Sequence, residues 1–250
     1  MSSCLFTPIE LSGLALANRV VVAPMCQYSA NEGTMNDWHL ANLGQFAMSG
    51  PGLIIIEATG VEAEGRITHG CSGLYSDENE TAIKRVVDFC KSVGQSKIGI
   101  QLGHAGRKAS SQRPWEGGNA LSQDVWQTYA PSAIPFADGW HTPTALDAVG
   151  CASLHVSSGG NSLAQKINIG YGYQTDLAKQ IRDEVAMPII AVGMITDPVQ
   201  AETIIRTGQA DMVALAREFL RDPHWTWRAA KALRGTSSVP DQYARAVTFS

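Results

Sequence analysis

A thiol and a phenol follow the first apolar run of the chain. The run at residues 19–22 leads directly into the segment Ala23–Tyr28, which contains Pro24 and Cys26. Because proline cannot donate to a strand ladder, Pro24 marks the place where a strand stops. Cys26 and Tyr28 then lie at the carboxyl end of that strand, where α/β barrels carry their chemistry. This placement favours a cofactor or substrate contact, although a free cysteine is more commonly a small buried core residue and Tyr28 could instead cap the core.

Two more polar side chains lie at the ends of apolar runs, where burial of a polar group without a partner is costly. Gln101 lies at the end of the third apolar run, and an amide buried there needs a hydrogen-bond partner. Arg217 follows the last apolar run, and an unpaired buried charge is strongly unfavourable. A bound ligand would satisfy both residues: an amide group of a ligand suits Gln101, and a phosphate suits the guanidinium.

The composition is that of an ordinary soluble globular protein. The chain has 250 residues, of which 44% are hydrophobic and 17% charged, enough for one sizeable core. A net charge of −4 gives no support for nucleic-acid binding, which usually needs a basic surplus. No run approaches the ~20 apolar residues of a membrane span, and the N-terminus lacks the pattern of a signal peptide. We therefore expect a cytoplasmic protein.

Six short apolar runs predict parallel strands. Most are followed by a helical pattern, and strand–helix alternation implies a parallel sheet with right-handed crossovers. The predicted strands are Arg19–Pro24, Gly52–Thr59, Lys97–Leu102, Ser153–Ser157, Pro188–Met194 and Met212–Ala216. The predicted helices are Trp38–Met48, Asn79–Ser92, Thr175–Glu184, Pro198–Arg206 and Pro223–Arg234.

The strand count falls short of a complete barrel, which needs eight strands. Residues 106–150 have no long amphipathic pattern and are rich in proline, glycine and tryptophan, which predicts an extended loop or a hairpin. A connection this long without its own elements is uncommon inside a compact domain. The sequence therefore predicts an α/β fold, a TIM (β/α)8-type barrel in which only about six of the eight βα units are visible.

The cysteines give no sign of a metal or dithiol site. The five residues Cys4, Cys26, Cys71, Cys90 and Cys151 are odd in number and widely scattered, with no C-x-x-C spacing. We expect no metal, and we expect most of these thiols to be reduced and buried.

The chain resembles the old yellow enzyme family (NADH:flavin oxidoreductases), in particular its bacterial xenobiotic-reductase or thermophilic-like branch of ene-reductases. Each matching segment is short, but their order along the chain is specific. The matching segments are Leu5–Ile9, Asn18–Arg19, Ala23–Tyr28, Glu57–Thr59, Gln101–Lys108, Ala130–Ser132, Val156–Gly159, Ala191–Ile195, Ala216–Glu218, Asp222–Trp225 and Pro240–Arg245. The resemblance implies a single FMN-binding barrel domain over residues 1–250, with FMN across the carboxyl-terminal mouth of the barrel.

The resemblance also implies roles for individual residues. Cys26 stands near the reactive edge of the flavin and Tyr28 faces the substrate, and these two are the implied catalytic residues. Arg245 reaches the substrate site of a neighbouring subunit, although a solvated tail residue is an equal alternative. The implied cofactor-binding residues are Ala23, Pro24, Met25, Cys26, Ala58, Gln101, Gly193, Ala216 and Arg217.

One part of the family pattern is absent from this sequence. Family members carry a His-x-x-His or His-x-x-Asn pair after the fourth strand, which holds the substrate carbonyl, and an arginine on the fifth strand. None of the histidines after the third predicted strand, Lys97–Leu102, stands at that spacing. The chain passes from Thr142–Asp147, which resembles the lead-in to the third helix, to Val149–Cys151, which resembles the end of the fifth. We expect about two βα units to be missing, with the junction near Ala148, at residues 147–150.

These observations predict an FMN-dependent NAD(P)H oxidoreductase. By resemblance it transfers hydride from NAD(P)H through flavin N5 to activated alkenes such as α,β-unsaturated carbonyls, as a homo-oligomer without nucleic-acid or membrane partners. The alternative is an internally deleted, catalytically impaired family member that at most binds FMN or oligomerises. A third interpretation is another phosphate-binding barrel enzyme that uses Gly193 and Arg217.

Overall fold

The computed structural model describes residues 3–130, 133–145, 170–176, 178–179 and 188–247. Its strands are β1 (Ile9–Leu11), β2 (Leu14–Leu16), β3 (Val20–Val22), β4 (Leu53–Gly60), β5 (Lys97–Gly103), β6 (Tyr129–Ala130), β7 (Thr144–Ala145), β8 (Ile190–Ala191) and β9 (Met212–Leu215). Its α-helices are α1 (Asp37–Ser49), α2 (Asp77–Val93), α3 (Pro198–Arg206), α4 (Arg217–Arg221), α5 (Trp225–Leu233) and α6 (Ala244–Val247).

Five parallel strands form the central sheet, in the order β5-β4-β3-β9-β8. Val21 of β3 pairs with Leu53 on one side and with Ala214 on the other. This order places β3 and β9, the first and last strands of the central sheet along the chain, side by side, as a closing barrel does. Within the described ranges, the outer edges of β5 and β8 pair with no further strand. The predicted strand Ser153–Ser157 and most of the predicted helix Thr175–Glu184 lie outside the described residues.

Alternate residues of the strands bury their side chains on opposite faces of the sheet. Val20, Val22, Ile54, Ile56, Val213 and Leu215 join the large cluster that includes the helices. Val21, Leu53, Met212 and Ala214 join a smaller cluster on the other face, which β2 contributes to through Leu16. A sheet covered on both faces explains why β3, β4 and β9 are nearly continuous apolar runs.

The first two helices begin at residues with capping side chains and end at glycines. The Asn36 side chain accepts from the backbone N–H of Trp38 at the start of α1. α2 begins at Ser76, whose Oγ accepts from the N–H of Asn79, and its chain leaves the helix at Gly94. These two helices and α3 and α5 lie within two or three residues of the predicted bounds, because caps and apolar period are local signals. Trp225 of α5 is fully buried and donates through Nε1 to the Thr196 carbonyl at 2.7 Å.

The segment between β5 and residue 145 contains short turns and two strands of two residues each. The prediction of an extended loop is confirmed here, since the described part has only the one-turn 3₁₀ helices Gly106–Lys108 and Pro114–Glu116 besides β6 and β7. The alternative of a hairpin is met locally, since Ser111 forms an isolated antiparallel bridge with Ala120, whereas Tyr129 pairs with Thr144 in parallel.

Candidate active site

The carboxyl ends of β3 and β4 meet around the thiol of Cys26. The backbone N–H of Ala58 and the Tyr28 hydroxyl both lie near the Cys26 thiol: the Ala58 N–H lowers the pKa of Cys26, and the Cys26 thiol raises the pKa of Tyr28. Cys26 and Tyr28 are both half-buried. The structure therefore brings together Cys26, Tyr28 and Ala58, which the sequence predicts at one site.

Tyr28 stands in a left-handed backbone conformation with φ of +51°. A bulky residue is uncommon there and is retained only where the surroundings fix it. Gly70 supplies part of that support, because a Cβ at Gly70 would lie 2.2 Å from the Tyr28 carbonyl oxygen. The neighbouring Ala30 N–H also donates to the Gly70 carbonyl, at 2.9 Å.

Both side chains that the sequence identifies as catalytic are neutral at physiological pH. Burial raises the pKa of Cys26 to about 12, and the nearby Cys71 and Glu57 add to this, while the Ala58 N–H and Lys108 oppose it. Burial, followed by the Cys26 and Cys71 thiols, also raises the pKa of Tyr28. Because a thiolate rather than a thiol is the nucleophile, Cys26 is suited to contact a cofactor and not to attack a substrate.

A buried acid at this site was missed by the sequence analysis. Ile56 pairs with Ile100 and Ala58 with Gln101, so Glu57 is the extra residue of a β-bulge in β4. Its carboxylate accepts from the Gln27 N–H at 3.2 Å and from the Ser72 hydroxyl at 3.1 Å. Burial raises the pKa of Glu57 to about 7, although those two hydrogen bonds lower it. An acid directly after the apolar run Leu53–Ile56, within a predicted strand, was the available signal.

Gln101 lies directly opposite Ala58 in the β4–β5 ladder. Its amide is half-buried, and no described residue hydrogen-bonds to its side chain. A half-buried amide in that position has donors and an acceptor ready for a polar ring edge.

The other end of the predicted cofactor site lies at β8 and β9. Ala191 pairs with Val213, so Gly193 and the Ala216–Arg217 step follow the two strands at the same edge of the sheet. Gly193 has φ of +123°, a conformation that favours glycine, and a Cβ there would lie 3.2 Å from the Tyr173 ring. The Arg217 side chain is exposed and contacts no described acidic residue. An unpaired guanidinium beside close backbone suits a phosphate group.

An aromatic pair stands beside Cys26. The rings of Tyr28 and Trp115 meet edge to face with centroids 5.9 Å apart. Trp115 is 65% exposed, yet its 3₁₀ turn is fixed at both ends, since the Arg113 N–H donates to Glu116 Oε2 at 2.9 Å and Gly117 closes the turn. Sequence analysis did not identify Trp115, because the contact joins segments that are far apart in the chain.

Two predicted residues have other surroundings. Arg245 is exposed in α6, and the nearby Tyr243 lines a cavity with Gly94 and Gln95, which precede β5. Arg245 thus follows a segment at the opposite end of the sheet from Cys26, and it is not brought to the site of its own chain. Both ring nitrogens of His104 have partners: Nε2 lies 2.8 Å from the Glu62 carboxylate, and Nδ1 accepts from the Gly106 N–H.

The described residues fit FMN. Ala23, Ala58 and Ala216 place small side chains at the ends of three adjacent strands, which leaves room for a flat ring. The unpartnered amide of Gln101 and the unpartnered guanidinium of Arg217 lie on β5 and after β9, on either side of β3 and β4. These two groups suit the polar ring edge and the phosphate respectively.

Comparison with known proteins gives the family. The model of the NADH:flavin oxidoreductase / NADH oxidase family matches residues 4–135 and 142–235. The chain belongs to this family. It is an NAD(P)H-dependent flavin oxidoreductase of the old yellow enzyme type, with FMN as cofactor and a nicotinamide nucleotide as reductant.

Relatives along the whole chain agree with this assignment. An NADPH dehydrogenase of Geobacillus sp. (strain WCH70) is 30% identical over 355 aligned positions, covering 100% of both chains. One of Bacillus subtilis (strain 168) is 29% identical, covering 98% of this chain and 99% of the relative. Among solved structures, morphinone reductase superposes with a TM-score of 0.70 at 18% identity, covering 96% of this chain and 92% of the other. The TIM-barrel fold is confirmed.

The same alignment confirms that the flavin oxidoreductase lacks an internal segment. Its 355 positions exceed the 250 residues of this chain by 105, so at least that many positions of the Geobacillus relative face gaps. The family match is itself interrupted at residues 136–141. The predicted junction near Ala148 and the single-domain boundary at 1–250 involve residues outside the described ranges and stay predictions.

The described residues show neither a metal-binding cluster nor a membrane-spanning helix. Over the described ranges, no cluster of three or more His, Cys, Asp or Glu could hold a metal ion. In the same part of the chain, no helix is both long and apolar enough to cross a bilayer.

Proposed function

We propose that this flavin oxidoreductase reduces activated alkenes, such as α,β-unsaturated carbonyl compounds, at the carboxyl end of β3 and β4. The observation that carries the proposal is the placement of the neighbouring Cys26 and Tyr28 side chains between two polar groups without a described partner, Gln101 and Arg217. When bound, FMN supplies hydride transfer between the nicotinamide and the acceptor, which no side chain can perform.

The residues of the chain bind and orient the cofactor. Gln101 holds the polar edge of its ring, and Arg217 with the backbone at Gly193 and Ala216 holds its phosphate. Ala23, Pro24, Met25 and Ala58 contact the ring through small or apolar groups. Cys26 contacts the ring as a neutral thiol, because burial keeps its proton in place.

Substrate contacts fall to the aromatic pair. Tyr28 and Trp115 offer two ring surfaces beside Cys26, which suit a flat conjugated molecule. The neutral Tyr28 hydroxyl is a hydrogen-bond donor and therefore suits a carbonyl oxygen. In an oligomer, the exposed Arg245 of one subunit would contact the substrate of another. We place this homo-oligomer in the cytoplasm.

A second candidate is a family member that binds FMN and accepts electrons from NAD(P)H but reduces alkenes poorly. It is favoured by the absence of a His-x-x-His or His-x-x-Asn pair after the third predicted strand, Lys97–Leu102. Without that pair, the substrate carbonyl has fewer donors to hold it, and poor positioning lowers the rate of transfer.

Absorption spectroscopy of the purified chain separates the two functions. Alkene reduction requires a flavin spectrum that NADPH bleaches without oxygen and that cyclohexenone restores. A spectrum that NADPH bleaches and cyclohexenone leaves bleached supports the second candidate. A chain that stays colourless after incubation with FMN contradicts both.

Substitution of Arg217 tests the cofactor site. Arg217→Ala is expected to weaken FMN binding roughly tenfold to hundredfold, the effect of losing a charged hydrogen bond. Arg85→Ala is the matched control, because Arg85 is an exposed arginine of α2 paired with Asp37. Equal FMN dissociation constants for the two variants, from fluorescence titration, would exclude Arg217 from the phosphate site.

A further inference from the structure

The β-bulge in β4 turns an acidic side chain away from the inner face of the sheet. Leu53 and Ile55 belong to the smaller cluster, which lies on the inner face of the sheet, and Ile54 and Ile56 belong to the large cluster on the helix side. Strict alternation would therefore place Glu57 on the inner face. The extra residue changes the alternation, as bulges do beside functional sites. Glu57 instead faces His39 of α1, with Nε2 and Oε2 separated by 4.0 Å.

Both oxygens of the Glu57 carboxyl are engaged. Oε2 accepts from the Gln27 N–H and Oε1 from the Ser72 hydroxyl. The Gln27 side chain in turn donates to the Met25 carbonyl at 2.8 Å and accepts from Trp38 Nε1 at 3.1 Å. The carboxyl therefore anchors the Met25–Tyr28 segment to β4 through the N–H of Gln27, the residue between Cys26 and Tyr28.

The tautomer of His39 is set by the helix cap. His39 Nδ1 lies 3.2 Å from both the Asn36 N–H and Asn36 Oδ1. Because Oδ1 already accepts from the Trp38 N–H and the Asn36 N–H can only donate, we assign Nδ1 as the acceptor and place the proton on Nε2. Nε2 is buried and has no hydrogen-bond partner among the described residues. A buried donor without a partner, facing a carboxyl oxygen, favours a negative charge on that oxygen.

We propose that Glu57 is a positioning residue whose loss of a proton tightens the Met25–Tyr28 segment against β4, with His39 Nε2–H as its electrostatic partner. When Glu57 is protonated, the Ser72 hydroxyl can turn to accept from Oε1, and Gln27 keeps only a bond to a neutral oxygen. When Glu57 is ionised, the Gln27 bond becomes charge-assisted and about twice as strong. The consequence for FMN rests on the function proposed above.

Among the ionisable groups around this carboxyl, Glu57 itself is the one whose charge changes near neutral pH. The ionisable groups that face Glu57 are His39 and the side chains of Cys26, Cys71 and Tyr28, and Lys108 faces Cys26. Burial lowers the pKa of His39 to about 4 and raises that of Cys26 to about 12. Since burial brings the pKa of Glu57 to about 7, Glu57 is the group that titrates near neutral pH.

The first test measures alkylation of Cys26 by iodoacetamide, resolved by mass spectrometry, in the chain without FMN from pH 5.5 to about pH 9. In the wild type, the logarithm of the alkylation rate should rise linearly with pH up to a break near pH 7. Above the break we expect rates roughly threefold to tenfold lower than the extrapolation of that line. The cause is that a nearby negative charge disfavours the thiolate. Glu57→Gln should give no break, and Glu62→Gln should keep it.

Glu62 is the matched control because it is an exposed glutamate that pairs with His104 just after the same strand. Ser72→Ala provides a second variant if Glu57→Gln does not fold. Loss of the Ser72 donor destabilises the ionised carboxyl, so the break should move to higher pH. An unchanged break in the foldable variants would overturn the proposal.

The second test measures the FMN dissociation constant across the same pH range. We expect FMN to bind several-fold more tightly above the break in the wild type, with no such change in Glu57→Gln. A purely structural role would weaken binding by the same factor at every pH and would contradict the proposal. If no variant binds FMN, the function proposed above fails while the alkylation break still reports on Glu57.

Discussion

Trp115 and Tyr28 meet edge to face, with ring centroids 5.9 Å apart, although 86 residues of chain separate their positions in the sequence. Trp115 gains little burial from this contact, since 65% of it remains exposed. An exposed aromatic ring on a fixed turn, beside a predicted substrate residue, is available to a ligand.

Removal of the Trp115 ring should weaken substrate binding more than catalysis. Trp115→Ala is expected to raise KM for cyclohexenone roughly threefold to tenfold, since aromatic pairs contribute about 0.5–1.5 kcal/mol beyond area, and to leave kcat within about twofold. Val199→Ala, at an exposed apolar position of α3, is the control. A change confined to kcat would contradict a substrate contact at Trp115.

A methyl group at Gly70 should displace Tyr28. Gly70→Ala would place Cβ 2.2 Å from the Tyr28 carbonyl oxygen, a backbone atom that cannot move alone. We expect a loss of about 1–3 kcal/mol in the free energy of unfolding, the range for overpacking, and a lower rate of cyclohexenone reduction.

Gly103→Ala is the matched control for Gly70, because a Cβ at Gly103, at the end of β5, has no neighbour within 4 Å. Urea unfolding of both variants provides the measurement. If Gly70→Ala is as stable as Gly103→Ala, Tyr28 is not held in the way that the structure indicates.

The buried Glu57–His39 pair should have opposing effects on stability as pH changes. Burial raises the pKa of Glu57 from 4.5 to about 7, so its contribution is complete below pH 4.5 and is lost as pH rises to about 7. Burial lowers the pKa of His39 from 6.5 to about 4, so its contribution is complete above pH 6.5 and is lost as pH falls to about 4. Between pH 4.5 and 6.5 the two slopes cancel.

Single substitutions should reveal each slope. His39→Gln can keep the helix cap and leaves Glu57 alone, so stability relative to the wild type should fall by about 1.4 kcal/mol per pH unit between pH 4.5 and 6.5. Glu57→Gln should give a rise of similar size. Urea unfolding at three pH values measures both, and parallel curves for all three proteins would refute the assignment.

Glu202 should contribute to the stability of the whole chain. Its buried carboxylate accepts from the Ser3 hydroxyl and from the N–H groups of Cys4 and Leu5, and it pairs with Arg206. Glu202→Gln is expected to lower the free energy of unfolding by about 2–3 kcal/mol, since the amide mismatches these donors. Glu80→Gln, at an exposed position of α2, should change it by less than about 0.5 kcal/mol.

Glu202 also predicts a pH dependence. Burial alone would raise its pKa, but the hydrogen bonds from Leu5, Cys4, Ser3 and Arg206 outweigh burial and lower it below 4.5. Its contribution is therefore present above pH 4.5 and is lost as pH falls through the lower value. A Glu202→Gln variant that lost as much stability below pH 4.5 as the wild type would contradict this.

Local sequence patterns determined the strands, the helices and their order. Apolar runs bounded by proline and glycine predict β3, β4, β5 and β9, and caps such as Asn36 and Ser76 begin the helices, because these signals act within a few residues. The same local patterns located Cys26, Tyr28 and Gln101 at the ends of strands. The shortfall in strand number is also visible in the sequence, because each missing βα unit removes one apolar run.

Tertiary structure alone decided what these residues face. The bulge that directs Glu57 towards His39 depends on the pairing of β4 with β5, and a local pattern cannot encode a pairing register across 40 residues. The left-handed backbone of Tyr28 depends on the close approach of Gly70, and its aromatic neighbour comes from a turn after β5. The sequence by itself thus predicted which residues carry chemistry, and packing between distant segments decided their partners, because non-local contacts fix side-chain environment and charge.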